Sequence, residues 1–331
     1  MASNSAETLV IHVQQKRQVL DVQAALDGGT HRYAVPEQRN VPAKMKAIYK
    51  SLNPRPSLLA LLDSICGFFA DLFADTDLKA IRRSDIHTLL TEVGQDLYAP
   101  IQASIKSASA IEFVLAEDCL SYPLDALYYQ GCPLFLDKPI TYRLHSHSDT
   151  LLQVSDQWKG LLISHESSDP ERALLSVKRL FPRSIYYDDL EVHPKDLESI
   201  AAADFVLISG HGDANDGIDL AHIAIHPETF VHMAPQLVYF DSCELGLHRG
   251  FLHSLYRTGT LYYVAPILSN ESGESSTKTI ERFFSALREG EPPANALFVT
   301  RKTLYEHYTD QGDDFRLAMV RAFPFRVYRL N

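Results

Sequence analysis

Four short apolar runs in the second half of the chain constrain the fold most: LLISHE (161–166), DFVLIS (204–209), QLVYFDS (236–242) and TLYYVAPIL (260–268). Each reads as a continuous apolar run rather than a strict alternation, the mark of a strand buried on both faces. Segments of helical period separate them, at 169–181, 194–203 and 250–259, with two more at about 275–289 and 293–308. This alternation predicts an α/β fold with a mainly parallel sheet flanked by helices. Asp169-Pro170 is placed as N-cap and first helical residue of the segment 169–181.

The first half has a different texture. TLVIHVQ, QVLDVQAAL and THRYAVP, within residues 8–36, alternate in part and are separated by Asp27-Gly28-Gly29, which predicts a meander of antiparallel strands. From Val41 to about Ala110 the spacing is helical, punctuated by Asn53-Pro54-Arg55-Pro56 and Pro100. The run SLLALLDSICGFFADLFA (57–74) carries Asp63 and Asp71, so it reads as a packed helix with Phe68, Phe69 and Phe73 in a core, not as a membrane span. IEFVLA (111–116) reads as a strand. The polar stretch His145-Ser146-His147-Ser148-Asp149 marks a boundary, giving an N-terminal region 1–150 and a second region 151–331.

Composition narrows the function. With 46% hydrophobic and 22% charged residues the 331-residue chain can bury a core, which excludes a disordered protein. A net charge of −11 is opposite to the footprint of phosphate binding, so no nucleic-acid partner is expected. No membrane partner is expected either. The start MASNSAETLVIHV lacks the basic and apolar regions of a signal peptide, which predicts a cytoplasmic protein. Cys66, Cys119, Cys132 and Cys243 are scattered without a CxxC pair, arguing against a disulfide framework and a zinc ribbon. His222, His226 and His232 lie close in sequence, but no Cys or carboxylate completes a tetrahedral set at regular spacing, so they read as structural and no metal is assigned.

The chemistry collects after two of the apolar runs. Ser209-Gly210-His211-Gly212 follows one and Asp241-Ser242-Cys243-Glu244 follows another. Ligands in open α/β sheets sit beyond the carboxyl ends of the strands. Neighbouring strands lie about 4.8 Å apart, so His211 and Cys243 could face one substrate carbonyl. A thiol needs a base to raise its thiolate fraction, and His is the usual one near neutral pH. Gly210 and Gly212 allow a tight turn and bring amide N–H groups near a substrate oxygen. Asp241 has two readings, a carboxylate projecting into the substrate pocket beside Cys243 or a cap for a following helix. Asp213 and Asp216 read as turn residues, and SNESGESS (269–276) as a mobile loop able to order on activation.

His-Gly after one apolar strand and Asp-Ser-Cys after the next, in that order, resemble the caspase-like cysteine peptidases. Within that group the chain is most similar to the CHAT peptidases, through residues 261–306 and, upstream, LLTEVGQDLY (89–98) with LAEDCLSYPLDALYY (115–129). His211 precedes Cys243 by 32 residues, against roughly 50 in caspases, and the caspase Gln-Ala-Cys signature is missing. Caspase-type Asp specificity is therefore not implied. Asp241-Ser242-Cys243 looks like the metacaspase version of the motif, and Pro266-Ile267-Leu268 stands where CHAT proteins often carry Leu-Trp-Pro.

The resemblance implies a caspase-like fold whose N-terminal region is an inactive caspase-like or regulatory lobe. It implies a cysteine endopeptidase with Cys243 as nucleophile, His211 as its acid–base partner, and the N–H groups of Gly212 and Cys243 as oxyanion hole. Asp241 and Glu271 would bind a basic P1 residue. No cofactor is implied. The expected partners are a protein substrate and an activating protein or ligand, in bacterial defence or regulated cell death. A catalytically silent interaction scaffold is the main alternative, and a metal-dependent hydrolase built on the histidine cluster is a third.

Overall fold

The computed structural model describes the chain except residues 1–6, 17–18, 27–28, 54–84, 145–149, 189, 201, 221–222, 231 and 271. The proposed boundary stretch 145–149, the helix read at 57–74 with its phenylalanines, and Cys66 thus lie outside the described residues. The chain divides into two compact units, Met1–Lys138 and Pro139–Asn331. Among the described residues no helix is long and apolar enough to cross a membrane.

The first unit opens with strands β1 (Thr8–Lys16), β2 (Val19–Leu26) and β3 (Gly29–Val35), paired antiparallel in sequence as a meander. Helices α1 (Val41–Leu52), α2 (Ile86–Tyr98) and α3 (Gln102–Ser107) follow, then β4 (Ala110–Leu115), which joins β1 in parallel. The alternation read in β1 and β2 is the cause of this layering, since Leu9, Ile11, Val13, Leu20, Val22 and Ala24 all turn to the buried side. Two short strands, β5 (Tyr128–Tyr129) and β6 (Cys132–Pro133), form a hairpin near the end of the unit.

The second unit is built on a mainly parallel sheet with helices on both faces. Its elements are β7 (Ile140–Arg143), β8 (Gly160–Ser164), α4 (Ala173–Leu180), β9 (Ile185–Asp188), α5 (Pro194–Ser199), β10 (Phe205–Ser209), β11 (His211–Asp213), β12 (Gly217–Asp219) and β13 (Ala224–Ile225). Next come β14 (Leu237–Asp241), α6 (Arg249–Arg257), β15 (Tyr262–Pro266), α7 (Glu274–Arg288), α8 (Pro293–Asp310), α9 (Phe315–Ala322) and β16 (Phe325–Arg329). The sheet runs in the order β7-β16-β15-β14-β10-β8-β9, with β16 antiparallel to β15. All five residues of β8, β10, β14 and β15 are buried, which explains the unbroken apolar runs. Leu207, Tyr239 and Val264 face the layer of α4, α7 and α8, while Phe240 packs on the other face against Phe251 of α6.

Three local readings need correction. The helix read from Asp169 begins at Ala173; Arg172 is left-handed, with φ 58°, and Asp169 caps from a distance, its carboxylate accepting the N–H of Ala173 at 2.6 Å and of Leu174 at 3.2 Å. The segment 269–276 is a loop only as far as Gly273, because Glu274 opens α7 and Ser275 and Ser276 are buried. The strand ending in Asp241 does not continue to Cys243, so strand alternation does not set the direction of that thiol.

The face under α4 and α7 is set by an aromatic cluster in which the Phe205 ring lies 5.8 Å from Trp158, 5.1 Å from Phe181 and 5.4 Å from Phe284. Gly160 supports the Phe205 ring directly, since a Cβ there would lie 2.2 Å from Phe205 Cζ. Rings held on several sides cannot yield without disturbing the core. Gly160→Ala should cost about 1–3 kcal/mol by overpacking, read as a lowered urea midpoint at an unchanged denaturant slope.

Candidate active site

Parallel pairing of β10 with β14 sets Ser209 opposite Asp241, and pairing of β8 with β10 sets Ser164 opposite Ser209. Three adjacent apolar strands therefore end in a row of polar residues at their carboxyl tips. Past that row His211 opens β11, part of a small antiparallel sheet β11-β12-β13. Ser242 and Cys243 lead into a turn whose Glu244 is left-handed, with φ 57°. A cavity of ≈ 180 Å³ lies over these tips, lined by Ser167, His211, Asp241, Cys243, Asn270 and Ser272 among others. A larger hollow of ≈ 610 Å³ beside Trp158 holds neither thiol nor imidazole, so chemistry rather than size singles out the smaller one.

Gly212 fixes how closely the two tips approach. A Cβ there would lie 2.8 Å from Cys243 O and 2.8 Å from Ser242 Cβ. Any side chain would push His211 away from Cys243, so the glycine after the histidine is a steric requirement.

The imidazole of His211 is exposed and held by a loop that follows β8. Its Nε2 lies 2.8 Å from Ser167 Oγ, which is 3.0 Å from His165 Nδ1, and the two imidazole rings meet edge to face at 4.8 Å. The backbone N–H of Ser167 donates to His165 Nδ1, which marks that nitrogen as an acceptor. The Ser167 hydroxyl then donates to His165 and accepts from Nε2–H of His211, an assignment made from the hydrogen-bond network.

Cys243 is held from the opposite side. The backbone N–H of Asn270 donates to its Sγ at 3.3 Å, and the thiol donates to Asn270 O at 3.7 Å. Burial pushes the thiol pKa up, the Asn270 N–H pulls it down, and the charges of Asp241 and Glu244 push it up again. Among the described residues no hydrogen bond joins Cys243 to His211. Cys119 contrasts with it, buried in the first unit with its pKa pushed up to about 12, chiefly by burial.

Asp241 is 4% exposed and does not cap a following helix. Its Oδ2 accepts from Ser276 Oγ at 2.6 Å and Ser209 Oγ at 2.8 Å, and its Oδ1 accepts from Asn270 Nδ2 at 2.5 Å. Burial pushes its pKa up to about 6 against the pull of the Ser276 and Ser209 hydroxyls, with the charge of Asp169 adding to the rise. Ser167, Ser209, Asn270 and Ser276 had not been singled out in the sequence, although in-register pairing of the two motif strands would have placed Ser209 beside Asp241.

Other predicted site residues fall elsewhere. Glu271 and His222 lie outside the described residues. His232 Nε2 lies 3.0 Å from Leu197 O, and among the described residues no group of three or more His, Cys, Asp or Glu could hold a metal ion. Asp213 is a turn residue as read, its carboxylate accepting the N–H of Asn215 at 2.7 Å.

No protein-family model matches the chain, and no curated protein does. Among solved structures it is similar to the Arg-specific cysteine proteinase gingipain R (RgpB), at TM-score 0.47 and 13% identity over 73% of this chain and 67% of that one. It is also similar to the complex of Porphyromonas gingivalis RgpB pro- and mature domains, at TM-score 0.49 and 13% identity over 89% of this chain and 77% of that one.

The raised pKa of Asp241 has a thermodynamic signature. The folded carboxyl keeps its proton up to about pH 6, whereas an unfolded Asp releases it near 3.9. The stabilisation this gives is complete below about pH 4 and is lost as pH rises to about 6, a span of roughly 3 kcal/mol. Urea midpoints of wild type should fall relative to Asp241→Asn across that window and run parallel to it above. Because the Asp169 charge acts on Asp241 and Asp169 is itself raised by burial, the comparison is made in an Asp169→Asn background, where the difference reports Asp241.

Proposed function

We propose that the chain is a caspase-like cysteine endopeptidase whose catalytic dyad is Cys243 and His211. The observation that carries the proposal is that a thiol and an imidazole, each just past the carboxyl end of one of two neighbouring parallel strands, line one cavity. Cys243 gives its proton to His211, and the thiolate bonds to the scissile carbonyl carbon. The C–N bond breaks as His211 passes the proton to the leaving amine, and water then cleaves the thioester with His211 again moving the proton. The N–H groups of Gly212 and Cys243 are assigned to the developing oxyanion. The CHAT resemblance extends the proposal to a protein target in bacterial defence or regulated cell death. The second unit is the catalytic region, and the first, whose described residues show no comparable pair of thiol and imidazole at strand tips, is the inactive or regulatory one.

A scaffold reading draws on the missing Cys243–His211 hydrogen bond. Unliganded catalytic sites often show such loosened geometry, however, and close it on substrate. A peptidyl electrophile should label Cys243, and both Cys243→Ala and His211→Ala should abolish cleavage of a peptide library while keeping the wild-type circular dichroism spectrum. Because the two act as a unit, the double variant should be no worse than either. Substantial cleavage by Cys243→Ala would remove the peptidase reading.

Specificity follows from Asp241. Asp241 lines the cavity, and its Oδ1 is held by a single neutral donor, the Asn270 amide, whereas Oδ2 carries two hydroxyls. The basic head of a P1 Lys or Arg fits that place, and the charge-assisted bond contributes about 1.5–3 kcal/mol, roughly a 10- to 200-fold preference. A P1 profile should favour Lys and Arg in wild type and flatten in Asp241→Ala. The preference should weaken below about pH 6, where the carboxyl takes up its proton. A wild-type profile led by apolar residues would remove the acidic-pocket assignment and leave the dyad standing.

A further inference from the structure

Asn270 binds both halves of the site at once. Its side-chain amide occupies Asp241 Oδ1, the atom assigned to the P1 head, while its backbone N–H and carbonyl hold the Cys243 sulfur. The thiol hydrogen is thereby directed to a carbonyl, and His211 Nε2 is bonded to Ser167. We propose that Asn270 is a substrate-displaced latch: a basic P1 side chain takes Asp241 Oδ1 from the Asn270 amide, and withdrawal of Asn270 frees Cys243 for His211. This rests on the peptidase reading and adds how the site admits only one substrate class.

The exchange is plausible on each side of the contact. The carboxylate keeps its place when Asn270 leaves, because Ser209 on β10 and Ser276 on α7 both donate to the other oxygen. A guanidinium or ammonium brings a full positive charge to the carboxylate, which the neutral Asn270 amide does not, so the cation wins Oδ1 and an apolar head does not. Gly273 sits at φ +101° with open space where a Cβ would stand, so its glycine answers a backbone requirement rather than a packing one. On the near side the chain leaves β15 through buried Ile267 and Leu268, so the movement of Asn270 does not extend back into the sheet. Specificity of this kind appears in turnover more than in binding, because part of the binding energy of the correct side chain assembles the dyad.

The test reads thiol accessibility rather than cleavage. Alkylation of Cys243 by iodoacetamide is timed in the full chain at pH 7.5, with and without benzamidine, an amidinium that carries a basic head and no scissile bond. Benzamidine should speed alkylation about fivefold, the factor for one hydrogen bond of ordinary strength released from the thiol. Asn270→Ala should react at the faster rate without benzamidine and gain nothing from it, and Asp241→Asn should not respond. Asn270→Ala should also cleave apolar-P1 peptides with a raised kcat. Unchanged or slowed alkylation of wild type with benzamidine, while Lys and Arg peptides are still cleaved, would overturn the latch and leave the peptidase reading intact. Faster alkylation in a protein that cleaves no peptide would keep the latch and overturn the peptidase.

Discussion

A carboxylate buried at the tip of a parallel strand organises the second unit's functional end. Asp241 is removed from water, and an isolated buried charge is costly. Three donors, from β10, the loop after β15 and α7, make it tolerable. Each donor is itself positioned by the sheet and its covering helices, so the carboxylate ties together segments far apart in sequence. The cost that remains is visible in the upward displacement of its pKa. In the proposed peptidase, a carboxylate so desolvated attracts an incoming cation, which is what a basic P1 pocket needs.

The sheet was legible because burial leaves a mark. β8, β10, β14 and β15 are covered on both faces and contain almost nothing polar, so length and flanking turns sufficed to identify them. β16 escaped for the opposite reason. It carries Arg326, fully buried with its guanidinium 4.2 Å from the centre of the Tyr142 ring, and a charge inside a strand pattern conceals the strand. β9 lies at the edge of the sheet, and its residues are all half-buried, so no pattern announced it. The helix starting at Ala173 was misplaced by three residues because Asp169 does cap it, but from across a tight turn rather than from the adjoining position.

The site was legible in its reactive pair and opaque in its support. His211 and Cys243 carry chemistry that few residue types can supply, and each stands directly after an apolar run. Ser167, Ser209, Asn270 and Ser276 are small polar residues of types found throughout the chain's loops and helix ends, and their importance lies in distances across the fold. The second histidine shows the same limit. His165 ends an apolar run just as His211 does, yet its relation to the site comes through Ser167 and a ring contact that only the strand order creates.

The two reactive groups differ in how firmly they are placed, and this decides where the site can adapt. β11 cannot come nearer to the Cys243 turn, since the backbones already touch at Gly212, and it is tied into its own small sheet through Asp219 and Ile218. Ser242 and Asp241 are buried, which fixes the backbone leading to Cys243 as firmly. The lining above them is less enclosed, with Asn270 half-buried and Ser272 exposed. In the proposed latch Asn270 is the cover over this pair, and lifting it gates the chemistry without altering the spacing on which it depends. The contact that holds the cover down ends on the same carboxylate that would read the substrate, so gating and recognition converge on one oxygen atom, Asp241 Oδ1.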